Sequence, residues 1–209
     1  MSGIPMERPV LAEDEAAALS GLAARVRALA EATVLTSVGT AEAAAVAAEV
    51  EALTARLAAA RRDAPPFVPS GERRMDRQFA NPVSGALNPL APPIDLTVDS
   101  DGIVRGEFTL STVYEGPPSY VHGGVSAMVL DQVLGMAAAA SGTPGMTATL
   151  ETRYRRPTPL GVPLSVEAKA SRVEGRKVYA SGTICGPDGR VTVEATAMFI
   201  MPQRFVPHS

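Results

Sequence analysis

The chain has 209 residues, a formal net charge of −3, two histidines and one cysteine, Cys185. That balance argues against a nucleic-acid-binding surface, excludes an internal disulfide and gives no thiol-ligand cluster. No uncharged apolar run approaches the ~18 residues of a membrane-spanning helix, and an apolar fraction of 46% at this length fits one globular domain, with or without an arm.

Residues 1–62 read as an alanine-rich helical arm. Its first residues carry Glu7, Glu13, Asp14 and Glu15 and lack the apolar core of a signal peptide, so the expected location is the cytoplasm. Leu19, Leu22, Val26 and Leu29 are spaced 3, 4, 3, and Val46, Val50, Leu53 and Leu57 are spaced 4, 3, 4. Both are heptad-like seams, each too short for a coiled coil. Thr36–Thr40 reads as a turn between two helices, with Thr40 as the N-cap. Such a narrow pair buries little surface of its own and needs the main domain or a second subunit.

Residues 63–93 hold Pro65, Pro66, Pro69, Pro82, Pro89, Pro92 and Pro93, which disfavours helix and central strand. This is a linker or a loop wrapped over the domain, because Phe67, Phe79, Val83, Leu87 and Leu90 are available to pack down. The charged run Glu72–Arg77 reads as a solvated face.

Residues 94–203 read as the main domain. Two strands flank a turn at Ser100–Gly102. The loop YEGPPSYV leads to a helix over Gly124–Ser141, about 27 Å long. It is apolar nearly all round and therefore belongs in a core. Four strands follow, over 146–156, 162–174, 177–186 and 190–201. The order ββ–α–ββββ is an α+β arrangement of one helix on an antiparallel sheet.

Asp131 is out of place on that helix. Its neighbours three and four residues away are Ala127, Met128, Leu134 and Gly135, so no base within a turn can pair with it. Either it faces solvent or caps a loop, or it is a carboxylate in a cleft, poised as base or nucleophile. Gly123 and Gly124, at the helix start, let another group approach the backbone. Amides there are unpaired and sit at the positive end of the helix dipole, suited to a developing oxyanion. In the strand after the helix, simple alternation puts Thr147, Thr149, Glu151, Arg153 and Arg155 on one face. That face is either an exposed sheet surface or a site face.

Other chemistries find no support. Met128 occupies the second-glycine position of a nucleophile elbow around Ser126. Phosphate-binding and dinucleotide-binding glycine patterns are absent, so no cofactor is expected. A two-histidine metal site would require His208, at the C-terminal end, to reach His122, and no metal is expected. Cys185 reads as packed within a strand.

The HGG of His122–Gly124 followed by Asp131, with MTATLETRYRRPTPLG (146–161) and the later VEGRKVYASGTICGPDGRVTVEATAMFI, resembles the hot-dog-fold acyl-CoA thioesterases of the phenylacetic-acid-pathway type over roughly Ile94 to Met201. The resemblance implies a curved sheet wrapped around one helix and hydrolysis of an acyl-CoA. It assigns Asp131 as general base or nucleophile and the Gly123 amide, beside Gly124, to the thioester oxygen. His122 would position the turn, and Thr147 would orient water. Arg153 and Arg155 would take the phosphates of CoA. Met128, Val129 and Met136 would line the acyl pocket, and medium or long aliphatic chains are expected over aryl groups. Relatives pair edge to edge, so a homodimer or homotetramer is implied, with Asp131 of one subunit facing Thr147 of the other. One departure is Gly116, where some relatives carry asparagine. The alternative reading is a non-catalytic hot-dog module that binds an acyl-CoA or a protein partner.

Overall fold

The computed structural model describes residues 9–68 and 77–203. Pro69, most of the charged run Glu72–Arg77, and His208 lie outside the described residues. In chain order the elements are α1 (Glu13–Leu35), α2 (Thr40–Ala58), β1 (Phe67–Val68), β2 (Arg77–Gln78), β3 (Asp95–Val98), β4 (Val104–Thr109), a 3-10 turn at Thr112–Tyr114, α3 (Gly123–Ala140), β5 (Met146–Tyr154), β6 (Pro163–Glu174), β7 (Lys177–Cys185) and β8 (Val191–Ile200). β1 and β2 form a small antiparallel pair. The other six strands make one sheet in the order β3-β4-β6-β7-β8-β5, with every neighbouring pair antiparallel.

α3 is the core of this sheet. Its buried residues are Ser126, Val129, Leu130, Val133, Leu134, Ala137 and Ala138, a stripe repeating every three and one residues. The sheet answers with Val104 and Phe108 on β4, Leu164, Val166 and Ala168 on β6, Val178, Ala180 and Ile184 on β7, and Val193, Ala195, Ala197 and Phe199 on β8. Alternate residues along these strands turn away from the helix, as the period of two requires. The helix ends where Ser141 and the left-handed Gly142 (φ 87°) close its last turn. Among the described residues α3 alone is long and apolar enough to cross a membrane, and here it is the core helix of the sheet.

Proline-rich residues 79–91 wrap over the domain. Phe79, Val83 and Ala91 are buried, and Val83 belongs to the main core. The Asn81 side chain accepts from the amides of Val83 and Ser84 and donates to Gln132 on α3 (2.8 Å), tying this strap to the helix.

The arm is a helical hairpin: Arg62, just past α2, pairs with Glu15 at the start of α1. Gly39, rather than Thr40, is the N-cap of α2, and Thr40 is its first helical residue. α1 leans on the domain through buried Ala23 and through Arg27, whose guanidinium donates to the carbonyls of Ala91 (2.8 Å) and Asn88 (3.5 Å). Beside it, Tyr114 donates to the Leu90 carbonyl (3.1 Å), and partial burial pushes its phenol above the usual range. α2 has no buried residue.

Candidate active site

The site is built around the entry to α3. A tight loop delivers the chain there: Gly116 and Tyr120 bond across it, Ser119 takes a left-handed conformation (φ 70°), and the Glu115 carboxylate accepts from the Ser119 amide (2.6 Å). A side chain at Gly116 would come within 2.7 Å of the His122 backbone, so this loop geometry has no room for asparagine there.

His122 is the N-cap. Its Nδ1 accepts from the Gly124 amide (3.0 Å), so the proton of the neutral ring sits on Nε2. The His122 carbonyl accepts from Val125 (2.9 Å) and Ser126 (3.4 Å). Among the described residues, no acceptor lies on the Gly123 amide. Of the two glycines, Gly124 is thus committed to the cap and Gly123 is left as the open donor at the positive end of the helix.

Asp131 lies two turns further on, half-buried and without an ion pair among the described residues. Its partner is the Thr147 hydroxyl, which donates to Oδ1 at 2.9 Å. Thr147 of the same chain therefore fills the place expected for a second subunit's threonine.

A β-bulge makes this contact possible. In the ladder with β8, Thr147 faces Phe199 and Thr149 faces Met198, so Ala148 is an extra residue. Without the bulge, Thr147 and Thr149 would share a face. With it, Thr147 joins the side of buried Phe199, toward α3, while Thr149, Glu151 and Arg153 turn outward. The single polar face expected for this strand is thus corrected. Arg153 pairs with Glu151 (2.9 Å), and Arg155 pairs with Glu194. The Arg155 guanidinium holds the Glu194 carboxyl below its ordinary range. Both arginines belong to the outer surface, where Arg153, Glu151 and Glu194 line an open groove of about 350 Å³ whose lining does not include His122, Gly123, Asp131 or Thr147. Val129 is also removed from the expected acyl pocket, since it is fully buried, whereas Met128 and Met136 are partly buried against the core.

Sequence reasoning missed Tyr154. After the bulge it lies on the helix side of β5, and its hydroxyl donates to the Gly123 carbonyl (2.9 Å). The signal was a tyrosine on the same side as Leu150, but nothing in the sequence pointed it at the helix start. Gln132, held by Asn81, was likewise unforeseen.

The model of the thioesterase superfamily matches residues 119–193, which run from the loop before His122 to β8. A solved structure described as protein RHA08564, a thioesterase superfamily protein, is 38% identical, covers 93% of each chain and superposes with a TM-score of 0.79. The chain belongs to the thioesterase superfamily. Within it, this member is similar to the acyl-coenzyme A thioesterase THEM4 of Xenopus laevis (40% identity over 87 residues, 41% of this chain and 39% of that protein). The mouse protein of the same name is 39% identical over 87 residues, 41% of this chain and 37% of that protein. The chain thus spans about two fifths of the length of these curated relatives. The α+β hot-dog arrangement expected from the sequence is the one this superfamily member adopts.

Proposed function

We propose that this protein is an acyl-CoA thioesterase in which Asp131 acts as general base or nucleophile and the Gly123 amide receives the thioester oxygen. The observation that carries the reading is the pairing of two features on one helix. Among the described residues, a half-buried carboxylate is held only by a hydroxyl, Thr147 to Asp131 at 2.9 Å, and an uncommitted amide stands at the helix start. The similarity to proteins named acyl-coenzyme A thioesterases supports the substrate class. Thioester hydrolysis requires both features: a group that attacks or activates water, and a donor placed where negative charge develops.

The two features are eight residues apart. That is roughly 12 Å along the axis and about 80° around it. An attacking atom about 3 Å from the carbonyl carbon and a donor about 3 Å from its oxygen lie closer together than this. The complete site is therefore shared by two copies, the Gly123 amide of one serving the Asp131 of the other, in a homodimer. β5 supports that assembly: among the described residues it is the last strand of the sheet, with one edge unpaired.

The test is release of free CoA from a panel of acyl-CoAs, followed with a colorimetric thiol reagent, alongside the mass by light scattering. Turnover in a dimer that falls as dilution splits it supports the reading. A fully active monomer overturns the shared site, and no thiol release from any acyl-CoA overturns the activity. The second reading, a binding module, is favoured by the exposed apolar residues of the arm, Leu53 and Leu57 among them. Acyl-CoA binding that persists without turnover supports it.

A further inference from the structure

We infer that Tyr154 is a positioning residue that fixes the direction of the Gly123 amide. The inference rests on the thioesterase reading above. The peptide between Gly123 and Gly124 is held at both ends: its carbonyl accepts from the Tyr154 hydroxyl at 2.9 Å, and its N–H donates to His122 Nδ1 at 3.0 Å. The Tyr154 ring also lies on the Gly123 Cα. A Cβ built at Gly123 would stand 3.2 Å from ring atoms Cε1 and Cζ and from the hydroxyl.

Two successive glycines at a helix start leave the backbone free to rotate, since neither carries a Cβ to restrict φ. A donor that must meet a developing oxyanion is effective only if it is already aimed when charge appears. Rotation about φ at Gly123 moves its carbonyl relative to its own amide. Anchoring the carbonyl to Tyr154 while the ring packs on Cα therefore holds the amide in one direction. β5 supplies Tyr154 near one end and Thr147 near the other, so a single strand clasps both Gly123 and Asp131. The Ala148 bulge is what places both side chains toward α3.

The test is Tyr154→Phe and Tyr154→Leu in the full chain, with steady-state kinetics on the best acyl-CoA, melting temperature, and hydrogen exchange read by NMR at the Gly124 amide, the hydrogen-bonded N–H of the peptide that Tyr154 anchors. Tyr154→Phe keeps the ring and removes the hydroxyl. It is expected to lower kcat about threefold to tenfold, the effect of one hydrogen bond, with KM and Tm essentially unchanged and faster exchange at the Gly124 amide. Tyr154→Leu, which also removes the ring, lowers kcat further. Unchanged kcat in Tyr154→Phe, or a loss that follows Tm and KM alike, overturns the inference. If the unaltered protein cleaves no thioester, the activity reading fails on its own. The exchange measurement then still decides whether Tyr154 orders Gly123, and unchanged exchange in both variants overturns it.

Discussion

α3 and α2 have 18 and 19 residues, and both are rich in alanine. One is the core of the molecule, and the other buries nothing. The difference lies in what surrounds them. Strands β4, β6, β7 and β8 turn apolar side chains onto α3, so Leu130, Val133 and Leu134 are wholly enclosed. α2 has no buried residue, and Leu53 and Leu57 remain half exposed. Apolar content makes a helix suitable for burial, and the layer packed against it decides whether burial happens. The same contrast separates function from scaffold. On α3 the one acid is held by a strand hydroxyl, whereas Glu15 of the arm makes an exposed pair with Arg62.

The largest expected effect is at the acid. Asp131→Asn preserves shape and the Thr147 contact but removes the charge, so kcat should fall by about 10² to 10⁴ with Tm unchanged. Near-full turnover in thiol-release kinetics would show that the carboxylate is not the reacting group.

Next comes the contrast between the two helices. Leu134→Ala opens a cavity in the enclosed layer and should cost about 2–5 kcal/mol. Leu53→Ala on α2 should stay within about 0.5 kcal/mol. Urea unfolding of both variants measures the difference. Equal losses would mean that the arm is buried in the assembled protein.

Thr147→Val keeps the volume of the side chain and deletes the donor to Asp131. A drop of about threefold to tenfold in kcat is expected, with KM little changed. Rates equal to those of the unaltered protein would leave the hydroxyl a structural contact only.

The smallest effect should come from Arg153→Ala. Its guanidinium is exposed, paired with Glu151 and turned away from α3, so KM for acyl-CoA should stay within about twofold of the parent. A large rise in KM would place the nucleotide on the outer face of the sheet.

Much of this architecture was legible before any coordinates. Periodicity and turn residues located α3 to within a residue at each end and the four following strands to within one or two, because long patterned elements leave strong local signals. Asp131 stood out for lacking any base within a turn, and the HGG turn marked the helix entry. Less was legible along β5. The Ala148 bulge has no sequence mark, yet one extra residue sends Thr147 inward and Arg153 outward, reversing the shared face that alternation implied.

The sequence alone determined the elements, their order, the buried helix and the acid upon it, since all of these follow from local periodicity and from the cost of burying a charge. The tertiary structure decided which groups meet. Thr147 reaches Asp131 because pairing with β8 forces a bulge. Tyr154 reaches Gly123 because the same strand lies along α3, and Gln132 is held by a strap distant in the chain. Such contacts depend on register between segments far apart in sequence, and no local pattern encodes that register.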